Sequence, residues 1–290
     1  MKPVAMDSLA AAPESFRKCS GLSGYLACFN GIVWREVLRF VHQRERFLSA
    51  LVRPLVWLFI FAAGFRQVLG VSIIEPYETY VLYEVFVTPG LIGMILLFNA
   101  MQSSLSMVYD RETGAMRTLL ISPFPRWFLL TSKLIGSGAV SLLQAYVFLL
   151  IAYFWEIEPP PLGYLTVMPA LFLSSLMLGA LALFISSIIK QLENFAGVMN
   201  FVIFPMFFAS SALYPLWRIK EASPLLYEIC RINPFTHAVE LIRFALYVKF
   251  DPVSFTVVLA YTVAFLAAAI YAYNPSKGLL GRRGAPGGAA

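Results

Sequence analysis

The chain has 290 residues, of which 59% are hydrophobic and 13% charged, and its formal net charge is +6. A soluble domain averages roughly 45–50% apolar and about 25% charged residues, so this composition excludes an ordinary water-soluble globule and points to lipid as the main solvent. The positive balance does not indicate a nucleic-acid partner, because the basic residues stand beside apolar runs and form no basic tract.

Residues 1–30 form an N-terminal segment that is expected not to be a signal peptide. Met1 to Ser20 contains Asp7, Glu14 and two prolines and lacks an apolar core of the needed length. Residues 33–47 predict an amphipathic helix. Trp34, Val37, Leu38 and Val41 recur at helical spacing, while Arg35, Arg39, Gln43 and Arg46 mark the other face, as suits a helix lying among lipid headgroups. A plain topology anchor is the alternative reading.

The first predicted span, 51–70, carries Arg53 and Arg66 near its ends, where long side chains can snorkel to the interface. Five further charge-free stretches are each long enough to cross a hydrocarbon core of ~30 Å at 1.5 Å per residue. They fall at about 85–107, 128–155 (charge-free from Leu134), 161–189, 194–217 and 252–276. Barrel strands are not expected, because no alternating apolar and polar pattern is present. The predicted architecture is therefore an all-α integral membrane protein with six transmembrane helices. Its membrane domain covers 31–276, and 277–290 is expected to be a disordered cytoplasmic tail.

Orientation follows from lysine and arginine. Arg35, Arg39, Arg44 and Arg46 precede the first span, Arg111, Arg117, Arg126 and Lys133 lie near the second connection, and Lys277, Arg282 and Arg283 end the chain. The first connection has Glu75, Glu78 and Glu84 instead, which places both termini in the cytoplasm. Cys19 and Cys28 then lie inside and Cys230 outside, so no disulfide framework is implied. A metal site built from Cys19, Cys28 and His42 is weaker than the reading of no metal.

Between the second and third spans lies the polar island YDRETGAMRTLLISPFPRW. Asp110 is suited to cap a short helix on which Met116, Leu119 and Leu120 share a face, with Ser122, Pro123 and Pro125 ending it. Such a helix has one polar and one apolar face and suits docking to a cytosolic protein; an ordinary loop with topology-setting arginines is the alternative. In the second span Asn99, Gln102, Ser103 and Ser106 are polar groups in lipid, each needing a partner or a wet cavity. In the fifth, Asn200, Ser210 and Ser211 accompany Phe201, Phe204 and Phe208, and Pro205 is placed to bend the helix. These residues either line a pathway or hold helices together. After the fifth span, Asn233 and Pro234 predict a helix start, Val239, Ile242 and Leu246 an apolar stripe, and Glu240 with Arg243 an i, i+3 pair. His237 is placed to approach Glu240. Short helices dipping into the outer membrane face are expected here, with a surface loop as the alternative.

The order of these parts resembles the permease subunit of ABC-2 type transporters, and the resemblance extends over most of Trp34 to Tyr273. The island and the segment NPFTHAVELIR carry it most specifically. The resemblance implies a cytoplasmic coupling helix at Asp110 to Leu120, using Asp110, Arg111, Glu112, Met116, Arg117 and Leu120 against a separate ATP-binding protein. It also implies external re-entrant helices bearing Asn233, Pro234, His237, Glu240 and Arg243. Two permeases, expected as a homodimer, pair with two ATPase subunits that bind ATP and Mg, in a bacterial inner membrane. The efflux of an amphipathic small molecule, lipid or glycan follows from the same resemblance. The sequence itself contains no GxxxxGK[ST] loop, so no ATP site of that kind belongs to this chain. An ion-coupled secondary transporter is the rival class, and a membrane-embedded enzyme is weaker still. Catalytic residues are expected to be none, since His42 and His237 lie on opposite sides of the membrane with no partner for acid–base work.

Overall fold

The computed structural model describes residues 22–42, 44–65, 75–77, 81–112, 124–155, 157–189 and 191–272. Among these, the helices are α1 (Leu22–His42), α2 (Arg44–Phe65), α3 (Tyr83–Glu112), α4 (Arg126–Tyr153), α5 (Gly163–Ile188), α6 (Leu192–Phe208), α7 (Leu216–Ala222), α8 (Pro224–Ile232), α9 (Pro234–Leu246) and α10 (Pro252–Ala272). No β-strand occurs among the described residues.

Helix α3 is the centre of the bundle. From Phe86 to Met101 nearly every side chain is buried, because α2, α4, α5, α6 and α9 all pack around it. Helix α5 joins α3 to α4, α9 and α10. Helix α10 is peripheral, burying Ser254, Val258, Thr262 and Ala269 along one face and leaving Val253, Leu259 and Val263 outward. Lipid is as apolar as leucine, so close packing and small residues, not water exclusion, hold such helices together. Gly90 shows this directly: a Cβ there would lie 2.7 Å from the Ala212 Cβ and carbonyl oxygen. At Gly163 an added Cβ would fall on the Leu246 carbonyl oxygen, so α5 begins against the end of α9.

Among the described residues, four helices are long and apolar enough to cross a membrane: Tyr83–Tyr109, Trp127–Tyr153, Gly163–Ile188 and Pro252–Ala272. The other two predicted spans take different forms. In α2 a shorter apolar stretch, Leu51–Ile60, is followed by Phe61 to Phe65 at the helix end, and α6 has 17 residues, about 26 Å of helix at 1.5 Å per residue. The helix predicted over 194–217 stops at Phe208. There the Ser210 hydroxyl donates to the Phe207 carbonyl at 2.6 Å and accepts from the Ala212 amide at 3.2 Å, replacing the next helical turn.

Helix α1 is longer at its start than the predicted 33–47 and ends at His42. It docks on α4 through Glu36, which is buried beside Gly136, while Arg35 and Arg39 flank the carboxylate at 3.2 and 4.0 Å. The two arginines therefore attend the buried face and do not oppose it. Trp34 and Leu38 remain exposed on the outside.

Candidate functional site

The polar island begins as a continuation of α3. The helix predicted to start with Asp110 as its cap is not separate at that point: α3 runs through Asp110, Arg111 and Glu112 without a break, since nothing between Gly93 and Gly114 interrupts it. Met116, Arg117 and Leu120 lie outside the described residues.

The polar residues of α3 face its neighbours in the bundle. Asn99 is buried, and its amide donates to the Ser141 hydroxyl at 2.5 Å and the Ser137 carbonyl at 3.3 Å, both on α4. The Ser106 hydroxyl donates to the Ser103 carbonyl and accepts from the Lys133 ammonium, each at 2.7 Å. Ser103 borders a void of about 10 Å³ with Lys133, Ser137 and Gly179, and Gln102 is half-buried. Lys133, read from sequence as a topology charge, is thus a buried donor inside the bundle. On α6, Asn200, Phe201, Phe204 and Phe208 are exposed, with the Phe204 and Phe208 rings stacked at 6.3 Å. The two groups of candidate pathway residues therefore occupy different surfaces of this chain, one internal and one outward.

The region after α6 is organised by carbonyl groups that need donors. Residues 210–213 are buried yet not helical, and an unpaired peptide group away from water costs several kcal/mol in a hydrocarbon setting. Side chains from distant elements supply the donors. Arg243 Nη2 reaches the Ser211 carbonyl at 2.8 Å, the Tyr83 hydroxyl reaches that of Leu213 at 2.9 Å, and the Asn233 amide reaches those of Met206 and Ala209 at 2.8 and 2.6 Å. Asn233 also accepts from the Phe235 amide at 3.0 Å as N-cap of α9, with Pro234 in the first turn. One side chain thereby closes the start of α9 and the end of α6. At its far end α9 stops in a Schellman arrangement: the Lys249 amide donates to the Phe244 carbonyl, the Val248 amide to that of Ala245, and Val248 sits at φ 59°.

Arg243 is the hub of this region. It pairs with Glu240 and lies 4.2 Å from the centre of the Phe86 ring. Burial alone lowers its guanidinium, and the Glu240 carboxylate more than offsets this, leaving it above its ordinary value. The neighbouring Tyr77 hydroxyl is pushed up to about 12 by burial, against the pull of the Arg243 charge. His237 does not approach Glu240; its Nε2 meets the Arg231 carbonyl at 2.9 Å and ties α9 to α8.

One further feature had no local signal in the sequence. Tyr77, Tyr153, Tyr164 and Tyr247 come from four separate segments and meet around an open cleft of about 990 Å³, at the end of the bundle where α3 begins and α4 ends.

Comparison with known proteins places the chain. Residues 28–247 match the family described as ABC-2 type transporter. A protein of Cyanophora paradoxa named transport permease ycf38 is 28% identical over 218 residues, which are 73% of this chain and 72% of that one. Its namesake in Porphyra purpurea is 26% identical over 216 residues, with the same coverage. A protein of Escherichia coli K12 named multidrug ABC transporter permease YbhR is 30% identical over 164 residues, 56% of this chain and 43% of that one.

Proposed function

The chain belongs to the ABC-2 type transporter family and is a multi-pass membrane protein, and on that premise we propose that it is the permease subunit of an ATP-driven exporter. Two copies form the route through a bacterial inner membrane, and two copies of a separate subunit bind ATP and Mg and supply the energy. Both termini and the 110–120 connection face the cytoplasm, as the lysine and arginine distribution favours. α1 lies along the cytoplasmic interface, and α7 to α9 dip into the outer face.

The observation that carries this reading is the continuity of α3. A single helix leads from the packed centre at Gly90 and Asn99 to the connection at Glu112. A helix without a break transmits a displacement as a rod, so a partner engaging Asp110, Arg111, Glu112, Met116, Arg117 and Leu120 would move the α3–α4 seam directly. The outward face of α6, with Asn200, Phe201, Phe204 and Phe208, is the surface offered to the second copy and to an amphipathic molecule in transit. Aromatic side chains left exposed in one chain suit both roles.

The test is reconstitution of the chain with its ATP-binding partner in proteoliposomes. Efflux of an amphipathic dye should require ATP and should not run on a proton or sodium gradient alone. Glu112→Lys and Met116→Ala should leave insertion intact while reducing co-purification of the ATPase. Gradient-driven transport without ATP would assign the chain to secondary transport, and wild-type hydrolysis in both variants would remove the coupling role.

A further inference from the structure

The aromatic cleft at the start of α3 has the dimensions of a small-molecule site and a lining of one chemical character. Its volume of about 990 Å³ is at the upper end of the range for ligand pockets, roughly 300–1,000 Å³. Four tyrosines and three consecutive prolines, residues 159–161, contribute to its walls, and Val81, Leu82 and Val85 add an apolar side. Among the described residues that line the cleft, Glu158 is the one that carries a charge, and it is exposed. Tyr77 and Tyr247 meet edge to face at 4.7 Å. The Tyr77 side chain is 4% exposed and its hydroxyl lies against the Arg243 guanidinium, while the buried Tyr164 hydroxyl has no hydrogen-bond partner among the described residues.

This lining discriminates among ligands. An anion would meet a carboxylate and, among the described lining residues, no base. A cation finds tyrosine rings and a carboxylate in one lining, the two kinds of group that stabilise positive charge. Arg243, behind Tyr77, is not among the lining residues and is paired with Glu240.

We propose that this cleft binds an organic ammonium ion carried on an amphipathic molecule. The ammonium group lies among the tyrosine rings beside Glu158, and the apolar portion lies along Val81, Leu82 and Val85. The inference goes beyond the exporter reading and does not depend on it, because binding needs neither nucleotide nor an ATPase subunit.

The test uses the full-length chain in lipid nanodiscs and isothermal titration with benzyltriethylammonium, with benzenesulfonate and benzyl alcohol as the anionic and neutral counterparts. The ammonium ion should bind, and Glu158→Gln and Tyr153→Ala, both exposed positions, should each weaken it by about tenfold. Repeating the titration in phosphatidylcholine and in phosphatidylglycerol nanodiscs, at about 0.5 M salt so that the anionic surface does not itself concentrate the cation, identifies the source. Weaker apparent affinity in phosphatidylcholine means that a lipid choline headgroup shares the cleft, and equal affinity means a free cation is its ligand. No binding of the ammonium ion, equal binding of the sulfonate, or unchanged affinity in both variants would overturn the proposal.

Discussion

Replacing Asn233 tests how the short helices are held. Its side-chain oxygen caps α9 and its amide nitrogen donates to the Met206 and Ala209 carbonyls at the end of α6. Those two carbonyls need a donor, which fixes which end of the amide faces α6. Loss of an N-cap costs about 1 kcal/mol, and loss of two further hydrogen bonds costs about 1 kcal/mol each. Asn233→Ala should therefore destabilise the protein by about 3 kcal/mol, roughly a hundredfold in the unfolding equilibrium. The ranking of variants is sharper than the magnitude. Asn233→Ser keeps an acceptor for the cap and loses the donors, so it should recover about 1 kcal/mol of the loss. Asn233→Asp also keeps the cap but sets a carboxylate against two carbonyl oxygens, and should be no better than alanine. Equilibrium unfolding of the purified chain in mixed micelles with increasing sodium dodecyl sulfate measures the series. If Asp and Ser both matched wild type, the residue would be an N-cap alone and the bridge to α6 would contribute nothing.

The glycines make a second series: Gly90→Ala and Gly163→Ala should lower thermal stability despite better helix propensity, since each Cβ meets backbone, whereas Gly197→Ala, with open space around it, should be neutral or stabilising by up to about 1 kcal/mol. A destabilised Gly197→Ala beside a stable Gly90→Ala would contradict the packing described. Val248→Gly should stabilise by up to about 1 kcal/mol, because φ 59° is costly for a β-branched residue and ordinary for glycine; an unchanged melting temperature would mean that strain there is relieved elsewhere. Single cysteines at Thr113, Glu78 and Glu221 should label from the cytoplasm, the outside and the outside respectively, and labelling of Glu221→Cys from the cytoplasm would mean that α6 does not complete a crossing.

The helical class, the four long spans, the Asn233–Pro234 start and the Glu240–Arg243 pair were legible because each rests on a local pattern of composition or spacing. What was not legible depends on residues far apart in the chain. The end of α6 at Phe208 is set with donors 24 to 32 residues away, on Asn233 and Arg243, so the apolar run to Trp217 gave no sign of it. Asn99 was readable as a polar group needing a partner in lipid, but its spacing could not name Ser141 on the next helix. Glu36 stands between arginines with no local sign that α1 docks on α4 through it. The tyrosine cleft has no motif at all, since its four rings come from residues 77, 153, 164 and 247.

The carbonyls of residues 210–213 also constrain the order in which the protein can be built. The Tyr83 hydroxyl finds its acceptor, Leu213, 130 residues later in the chain, long after its own helix has left the ribosome. At about 5–20 residues per second, that is a wait of roughly six to twenty-six seconds for a group that ends in a buried bond. During synthesis the mouth of the nascent bundle must stay hydrated or sheltered until α9 delivers Asn233 and Arg243, so α6 reaches its final ending only after the chain well beyond it has emerged. The last third of the sequence thus completes the insertion of the middle third, and a ribosome stalled before Arg243 would leave an intermediate whose α6 terminus is open to water and to the membrane-protein quality-control machinery.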